Sequence, residues 1–169
     1  ITQRPLNVTA TKAYDGSTAL SSGSVTLSNL SGGQTINTSG SITTNSANVA
    51  SYGTSDISVS SLSLADGTGA ASNYTLVGGT YSATVTQKVL GLSGSRVYDA
   101  TTTASPSDLT LTGLVGSETL TLSGSGTLTS SAVGTGKTIT LNTLAISDNT
   151  GLASNYNLSG TATMNVTTR

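Results

Sequence analysis

Apolar residues along this chain mostly stand singly, one position apart, with Ser or Thr between them. Leu6, Val8 and Ala10 alternate in this way, as do Val25 with Leu27, Ala83 with Val85, Leu109 with Leu111, and Met164 with Val166. Neighbouring side chains of a strand point to opposite faces, so this spacing predicts strands that bury one face and wet the other. No segment keeps apolar residues at i, i+3, i+4 and i+7 across three turns, so helical signals are weak throughout. Ile57 and Val59 alternate in one phase and Leu62 and Leu64 in the other. Ile139 to Leu141 and Leu144 to Ile146 repeat that slip. A slip of one residue turns a whole strand over, so a bulge or tight turn is predicted at Ser60-Ser61 and again at Asn142-Thr143.

The pattern is written twice. TKAYDGST (Thr11 to Thr18) returns as SRVYDATT (Ser95 to Thr102), 84 positions later, and VTLSNL (Val25 to Leu30) returns as LTLTGL (Leu109 to Leu114). LADGTGAASNYTL (Leu64 to Leu76) returns as ISDNTGLASNYNL (Ile146 to Leu158) at an offset of 82, so two residues are lost between Val49 and Ile57. ITQRPLNV at the start aligns with VTQKVLGL (Val85 to Leu92), and the final VTTR is a third version of the same signature. These repeats predict two tandem modules of about 80–85 residues, cut from a longer array. Residues 1–4 are then the end of an upstream strand, 5–88 the first module and 89–169 the second. The expected fold is all-β, with six or seven strands per module, as two small β-sandwich-like modules arranged end to end. A β-grasp-like module is the alternative, because a short helix fits within Asn45 to Gly53.

Composition narrows the function classes. Ser and Thr number 62 of 169 residues, charged residues make up 8%, and the net charge is -1. Six basic residues supply no patch for nucleic acid. Cys and His are both absent, which removes disulfides, thiolate metal sites and every Ser-His-Asp or Cys-His arrangement. No apolar run approaches the roughly 18 residues of a membrane span, so no membrane insertion is expected. Five of the six basic residues occupy repeat-equivalent places: Arg4, Lys88 and Arg169 at the module ends, and Lys12 and Arg96 before the Tyr-Asp pairs. Ion pairs that fix the angle between modules are the expected role.

Lys12 to Thr18, KAYDGST, resembles the Lys-x-Tyr-Asp-Gly-Thr-Thr opening of the YDG repeat. The GTGKT at Gly134 to Thr138 and the SNY at Ser72 to Tyr74 and Ser154 to Tyr156 are similar to that family's later landmarks. The second copy departs with Ala100 in place of glycine, so a positive-φ turn there must be rebuilt or strained. The resemblance implies stalk or spacer repeats of filamentous-haemagglutinin-like adhesins, secreted to the cell surface of Gram-negative bacteria through an outer-membrane transporter. Partners are then neighbouring modules of the same chain and a host-surface or biofilm ligand. In the alternative, the modules themselves bind a glycan, a host protein or another adhesin chain in adhesion or biofilm formation.

Candidate sites have plain structural readings beside the functional ones. GTGKT looks like the end of a phosphate loop, but that motif needs glycine at position 131, where Ser131 stands, and a helix after it. A glycine turn feeding a strand from Thr138 to Leu141 fits better, leaving Lys137 without a counterpart or a role. Asp66 and Asp148 are the weak calcium candidates, each one carboxylate on an Asp/Asn-Gly turn that turn chemistry also explains. No other cofactor is expected. Glu118 is the only Glu and, like Asp108, has no partner in the first copy, so paired-carboxylate catalysis is unsupported and no enzyme is expected. Tyr14, Tyr98, Tyr74 and Tyr156 suit anchoring of the core. Exposure of Tyr14, Tyr52, Tyr81 and Tyr98 separates that role from ligand contact.

Overall fold

A computed structural model describes residues 2–169. The chain divides into two compact units, the first ending at Thr86 and the second being Gln87–Arg169. Strands of the first are β1 (Arg4–Pro5), β2 (Asn7–Ala13), β3 (Ala19–Ser21), β4 (Val25–Ser28), β5 (Ile36–Thr44), β6 (Ala50–Tyr52), β7 (Ile57–Ser58), β8 (Leu62–Asp66), β9 (Tyr74–Thr75) and β10 (Tyr81–Thr86). The second has β11 (Lys88–Val97), β12 (Thr103–Ala104), β13 (Leu109–Thr112), β14 (Thr121–Ser123), β15 (Gly126–Leu128), β16 (Gly134–Thr140), β17 (Ala145–Ser147) and β18 (Tyr156–Thr167). Each unit is thus all-β. The strands outnumber the expectation because β1 and β2, β7 and β8, and β9 and β10 in the first unit, and β14 and β15 in the second, are each one strand line broken by an irregularity.

The two units follow one plan. A main sheet runs β4-β2-β10-β6 in the first; in the second the equivalent strands β13-β11-β18-β16 belong to one six-stranded sheet that continues through β15 to β12 in the second layer. At its centre the first and last strand lines lie side by side and parallel: Val8 pairs with Tyr81 through to Ala13 with Thr86, and Leu92 with Ala162 through to Val97 with Thr167. A second layer is built on β5, flanked by β3 and by β7 and β8, and on β14 and β15 in the second unit. Leu92, Met164 and Val166 of the main sheet pack in one core with Ala104 and Leu128 of the other layer. Fully burying each such aliphatic side chain is worth roughly 1.5–3 kcal/mol. The sandwich expectation holds in that sense, and among the described residues the only helical turns are short 3-10 ones, none long and apolar enough to cross a membrane. Nothing helical lies within Asn45 to Gly53. A single 3-10 turn follows at Thr54–Asp56.

The alternating residues face inward as their spacing requires: Leu6, Val8, Ala83, Val85, Met164 and Val166 are all buried. The predicted phase slips are real. β5 pairs Gly40 with Leu62 and Thr43 with Ser58, a register change of one residue, closed by a bond from the Leu62 amide to the Val59 carbonyl at 3.0 Å. In the second unit the Leu144 amide bonds the Leu141 carbonyl at 2.8 Å. Opposite each slip stands a left-handed glycine. A Cβ on Gly40 would lie 2.0 Å from the Ser61 carbonyl oxygen, and one on Gly124 would lie 2.1 Å from that of Thr143. No side chain fits there.

The two-residue difference between repeats also has a place. In the first unit the chain leaves β10 at β6, makes the Thr54–Asp56 turn and joins the second layer at β7. In the second unit β16 makes both connections as one strand, pairing with β18 and then with β15. At the ends, Ile1 lies outside the described residues. Arg4, expected to belong to an upstream strand, pairs with Tyr74 inside the first unit. Lys88, assigned by sequence to the first module, pairs with Tyr156 in the second.

Candidate functional site

The residues that recur most closely form a lock at the end of the first strand line. Lys12 Nζ, on a side chain only 10% exposed, reaches Asp15 Oδ1 at 2.6 Å. It also donates to the carbonyls of Ser17 at 2.5 Å and Ala19 at 2.9 Å. Asp15 Oδ1 in turn accepts the Ser17 amide at 2.9 Å, an Asx-type turn that wraps the loop around the ammonium. Because Ala19 begins β3, the lock ties the main sheet to the second layer. Arg96 repeats it, reaching Asp99 Oδ2 at 3.2 Å, Thr101 Oγ1 at 3.0 Å, the Thr103 carbonyl at 2.5 Å and the Thr101 carbonyl. Its Nε is buried without a partner. Both ion pairs lie inside a unit, which corrects the expectation that these cations set the angle between modules. Arg4 likewise turns inward, its Nη2 donating to Asn29 Oδ1 at 2.8 Å.

Gly16 sits at φ 76° and Ala100 at φ 65°. The second turn therefore has the same shape as the first and is strained rather than rebuilt, at about 1–2 kcal/mol for a Cβ in the left-handed region. The carboxylates respond to the lock. Partial burial pushes Asp15 up, but the Lys12 hydrogen bond, the Ser17 amide and the Lys12 charge together hold it below the usual value. For Asp99 the Thr101 amide is the largest cause of a lowered value, helped by the Thr101 hydroxyl and the Arg96 charge.

A second recurring device surrounds the SNY tyrosines. Tyr74 is buried; its hydroxyl donates to Gln34 Oε1 at 2.6 Å and accepts the Ser31 amide at 3.1 Å. Tyr156, also buried, donates to Glu118 Oε2 at 2.6 Å and accepts the Val115 amide at 3.0 Å. Glu118 thus does have a counterpart, Gln34, which a search for a second carboxylate misses because the shared property is an acceptor oxygen.

The calcium candidates are tied up in turns. Asp66 Oδ1 accepts the Ala71 amide at 2.7 Å and Asp148 Oδ1 the Ala153 amide at 2.6 Å. Thr68 and Thr150 complete the loops by accepting the Thr35 and Thr119 amides, each at 2.8 Å. Among the described residues no three acidic groups gather.

GTGKT is strand rather than turn. It opens β16 with a register break between Gly134 and Lys137, where Gly136 at φ 61° donates its amide to Asn165 Oδ1 at 2.8 Å. Lys137 pairs with Met164 as Tyr52 pairs with Ala83. It stands where the first unit has a buried tyrosine, and its half-buried stem folds back over Gly134.

Of the tyrosines, Tyr14, Tyr52, Tyr74 and Tyr156 are buried, Tyr81 is half-buried and Tyr98 is 39% exposed. Anchoring therefore describes Tyr14 but not its repeat partner Tyr98. Val97 and Val133 are exposed in the same unit. The concavities are open; one is lined by Asn73 together with Arg4, Ser31, Gln34 and Tyr74, the last four used in the contacts above.

Two units on one β plan, each closed by a cation-Tyr-Asp loop, define a tandem β-repeat protein whose repeat is marked by that loop. The family model for the YDG domain matches twice, over residues 2–86 and 81–164. The chain belongs to the YDG domain family. No curated protein and no solved structure matches it.

Proposed function

We propose that the two modules are structural repeats, a spacer in a secreted bacterial surface adhesin of the filamentous-haemagglutinin-like kind that projects a binding region from a Gram-negative cell. The observation that carries this reading is the duplicate use of polar groups. The Lys12 and Arg96 locks, the Tyr74 and Tyr156 anchors and the Asp66 and Asp148 caps each tie a unit's own loops together at matching positions. Side chains so engaged stabilise a repeated body and are not presented to a substrate. A chain without cysteine also suits export through an outer-membrane transporter in an unfolded state.

The test places zero, two or four copies of the module between a surface anchor and a small reporter that binds a tethered target. A spacer extends the reporter's reach with each pair of modules and leaves its affinity unchanged. Reach that does not depend on module number sinks the reading. The ligand-binding alternative draws on Tyr98, Val97 and Val133, which are 39%, 53% and 50% exposed. It predicts that the isolated chain retains a glycan, a matrix protein or a second adhesin chain, and that Tyr98→Ala abolishes retention.

A further inference from the structure

We propose that each unit is a mechanical clamp that resists tension along the chain by shear between its first and last strand lines. In the first unit tension enters at β1 and β2 and leaves at Thr86, the end of β10. In the second it enters at Lys88 and leaves at Thr167. Because the paired strands are parallel, these points lie at opposite ends of the pair. Pulling then slides one strand along the other, and the hydrogen bonds from Val8/Tyr81 to Ala13/Thr86 share the force together. So do those from Leu92/Ala162 to Val97/Thr167, extended toward the entry point by Lys88/Tyr156 to Leu90/Leu158. Antiparallel neighbours pulled from one end would instead open one bond at a time. A transition state that needs many bonds to break at once keeps the unfolding rate low under force, and that rate governs forced unfolding.

Backbone and hydroxyl bonds fasten the exit end of each clamp in the same way. Tyr14 donates its amide to the Thr86 carbonyl at 2.8 Å and Tyr98 to that of Thr167 at 2.9 Å. The Thr86 hydroxyl reaches back to the Lys12 carbonyl at 3.3 Å, and the Thr167 hydroxyl to that of Arg96 at 3.2 Å. Lys12 and Arg96 are the residues whose side chains bond the carbonyls of Ala19 and Thr103, at the start of β3 and β12. The inner strand is therefore held at its far end by the second layer and cannot slide freely. Only Gln87 separates β10 from β11, so tension passing down the chain reaches the second clamp through one residue.

The inference deepens the spacer reading, since a stalk that holds a cell works under tension, but its test is separate. The whole chain, flanked by reference domains, is pulled by force spectroscopy in two geometries. In one the handles are at the termini. In the other, one handle is attached at Thr102→Cys, an exposed position in a chain with no other cysteine, and the second at the C-terminus. That pair of points lies at the same end of β11 and β18 and peels them apart. Terminal pulling should give two unfolding events, and the force for the second unit should exceed the peeling force at least about twofold. Thr102→Cys pulled through its termini should match the unsubstituted chain. Thr86→Val with Thr167→Val should lower the terminal unfolding force of both units, because each change removes a hydroxyl bond that shear loads together with the ladder. Equal forces in the two geometries overturn the clamp while leaving the reach experiment to judge the spacer.

Discussion

The Tyr156 hydroxyl meets Glu118 Oε2 at 2.6 Å, at the place where Tyr74 meets Gln34 Oε1 at the same distance in the first unit. The interaction needs an acceptor oxygen, and charge is incidental to the plan. Glu118→Gln should therefore cost less than about 1 kcal/mol, the gap between a charged and a neutral hydrogen bond, whereas Glu118→Leu should cost about 1–3 kcal/mol by removing the acceptor. Urea unfolding of the two variants checks this, and equal costs would show that the bond does not hold the unit.

Ala100 invites a direct gain. Ala100→Gly relieves about 1–2 kcal/mol of left-handed strain and returns about 0.4–1 kcal/mol to the unfolded chain as entropy. The net expectation is a second unit more stable by roughly 0.5–1 kcal/mol. Gly16→Ala should destabilise the first unit by a similar amount. Paired calorimetric melts decide it; a second unit destabilised by Ala100→Gly, or a first unit unaffected by Gly16→Ala, would refute the shared turn.

Arg96 makes more bonds than Lys12 but leaves its buried Nε unpaired. Such an orphaned donor costs about 1–3 kcal/mol, which offsets the loss of the guanidinium fork. Arg96→Lys should then be nearly neutral, within about 1 kcal/mol, because lysine already serves the first unit. Lys12→Met should be clearly destabilising, since the Ser17 and Ala19 carbonyls lose their donor. Chemical denaturation that ranks these two the other way round would remove the argument.

Acid should loosen both locks. Asp15 and Asp99 are held below their ordinary values in the folded chain. Each contributes stability that is fully present above the unfolded aspartate value of about 3.9 and lost as pH falls through the lower folded value. Melting temperature should drop as pH falls below about 4, and less steeply with both residues changed to Asn. An unchanged slope in the double variant would assign the acid sensitivity elsewhere.

Calcium should do little. Asp66 and Asp148 each spend an oxygen on a backbone amide, and calcium requires six to eight oxygen ligands. Melting curves with excess calcium and with a chelator should superimpose; a shift of several degrees would reopen both loops as ion sites.

Much of the fold is legible because it is local. Alternation at Leu6, Val8 and Ala10 names the buried face, and the slip at Ser60-Ser61 marks a bulge, since period and phase are properties of adjacent residues. The cation pattern is legible as important but not as to role. Lys12 and Asp15 lie three apart, but the Ser17 and Ala19 carbonyls reach the same ammonium only because the chain turns back at Gly16 in the left-handed region. Lys137 is opaque for a similar reason. Its equivalence to Tyr52 follows from the register against Met164 and Ala83, and register between distant strands leaves no trace in a short stretch of sequence. The exposure of Tyr98 beside a buried Tyr14 likewise depends on what surrounds each ring.

Pairing of the first strand line with the last sets an order of events. Val8 finds its neighbour only when Tyr81 is available, and Leu92 only when Ala162 is. Contacts so distant in sequence make folding slow. A chain delivered from its N-terminus must therefore carry each repeat to its final residues before the central sheet can close. Each unit is in this way a checkpoint: emergence can run far ahead of folding, and completion of one repeat coincides with the arrival of the segment that begins the next.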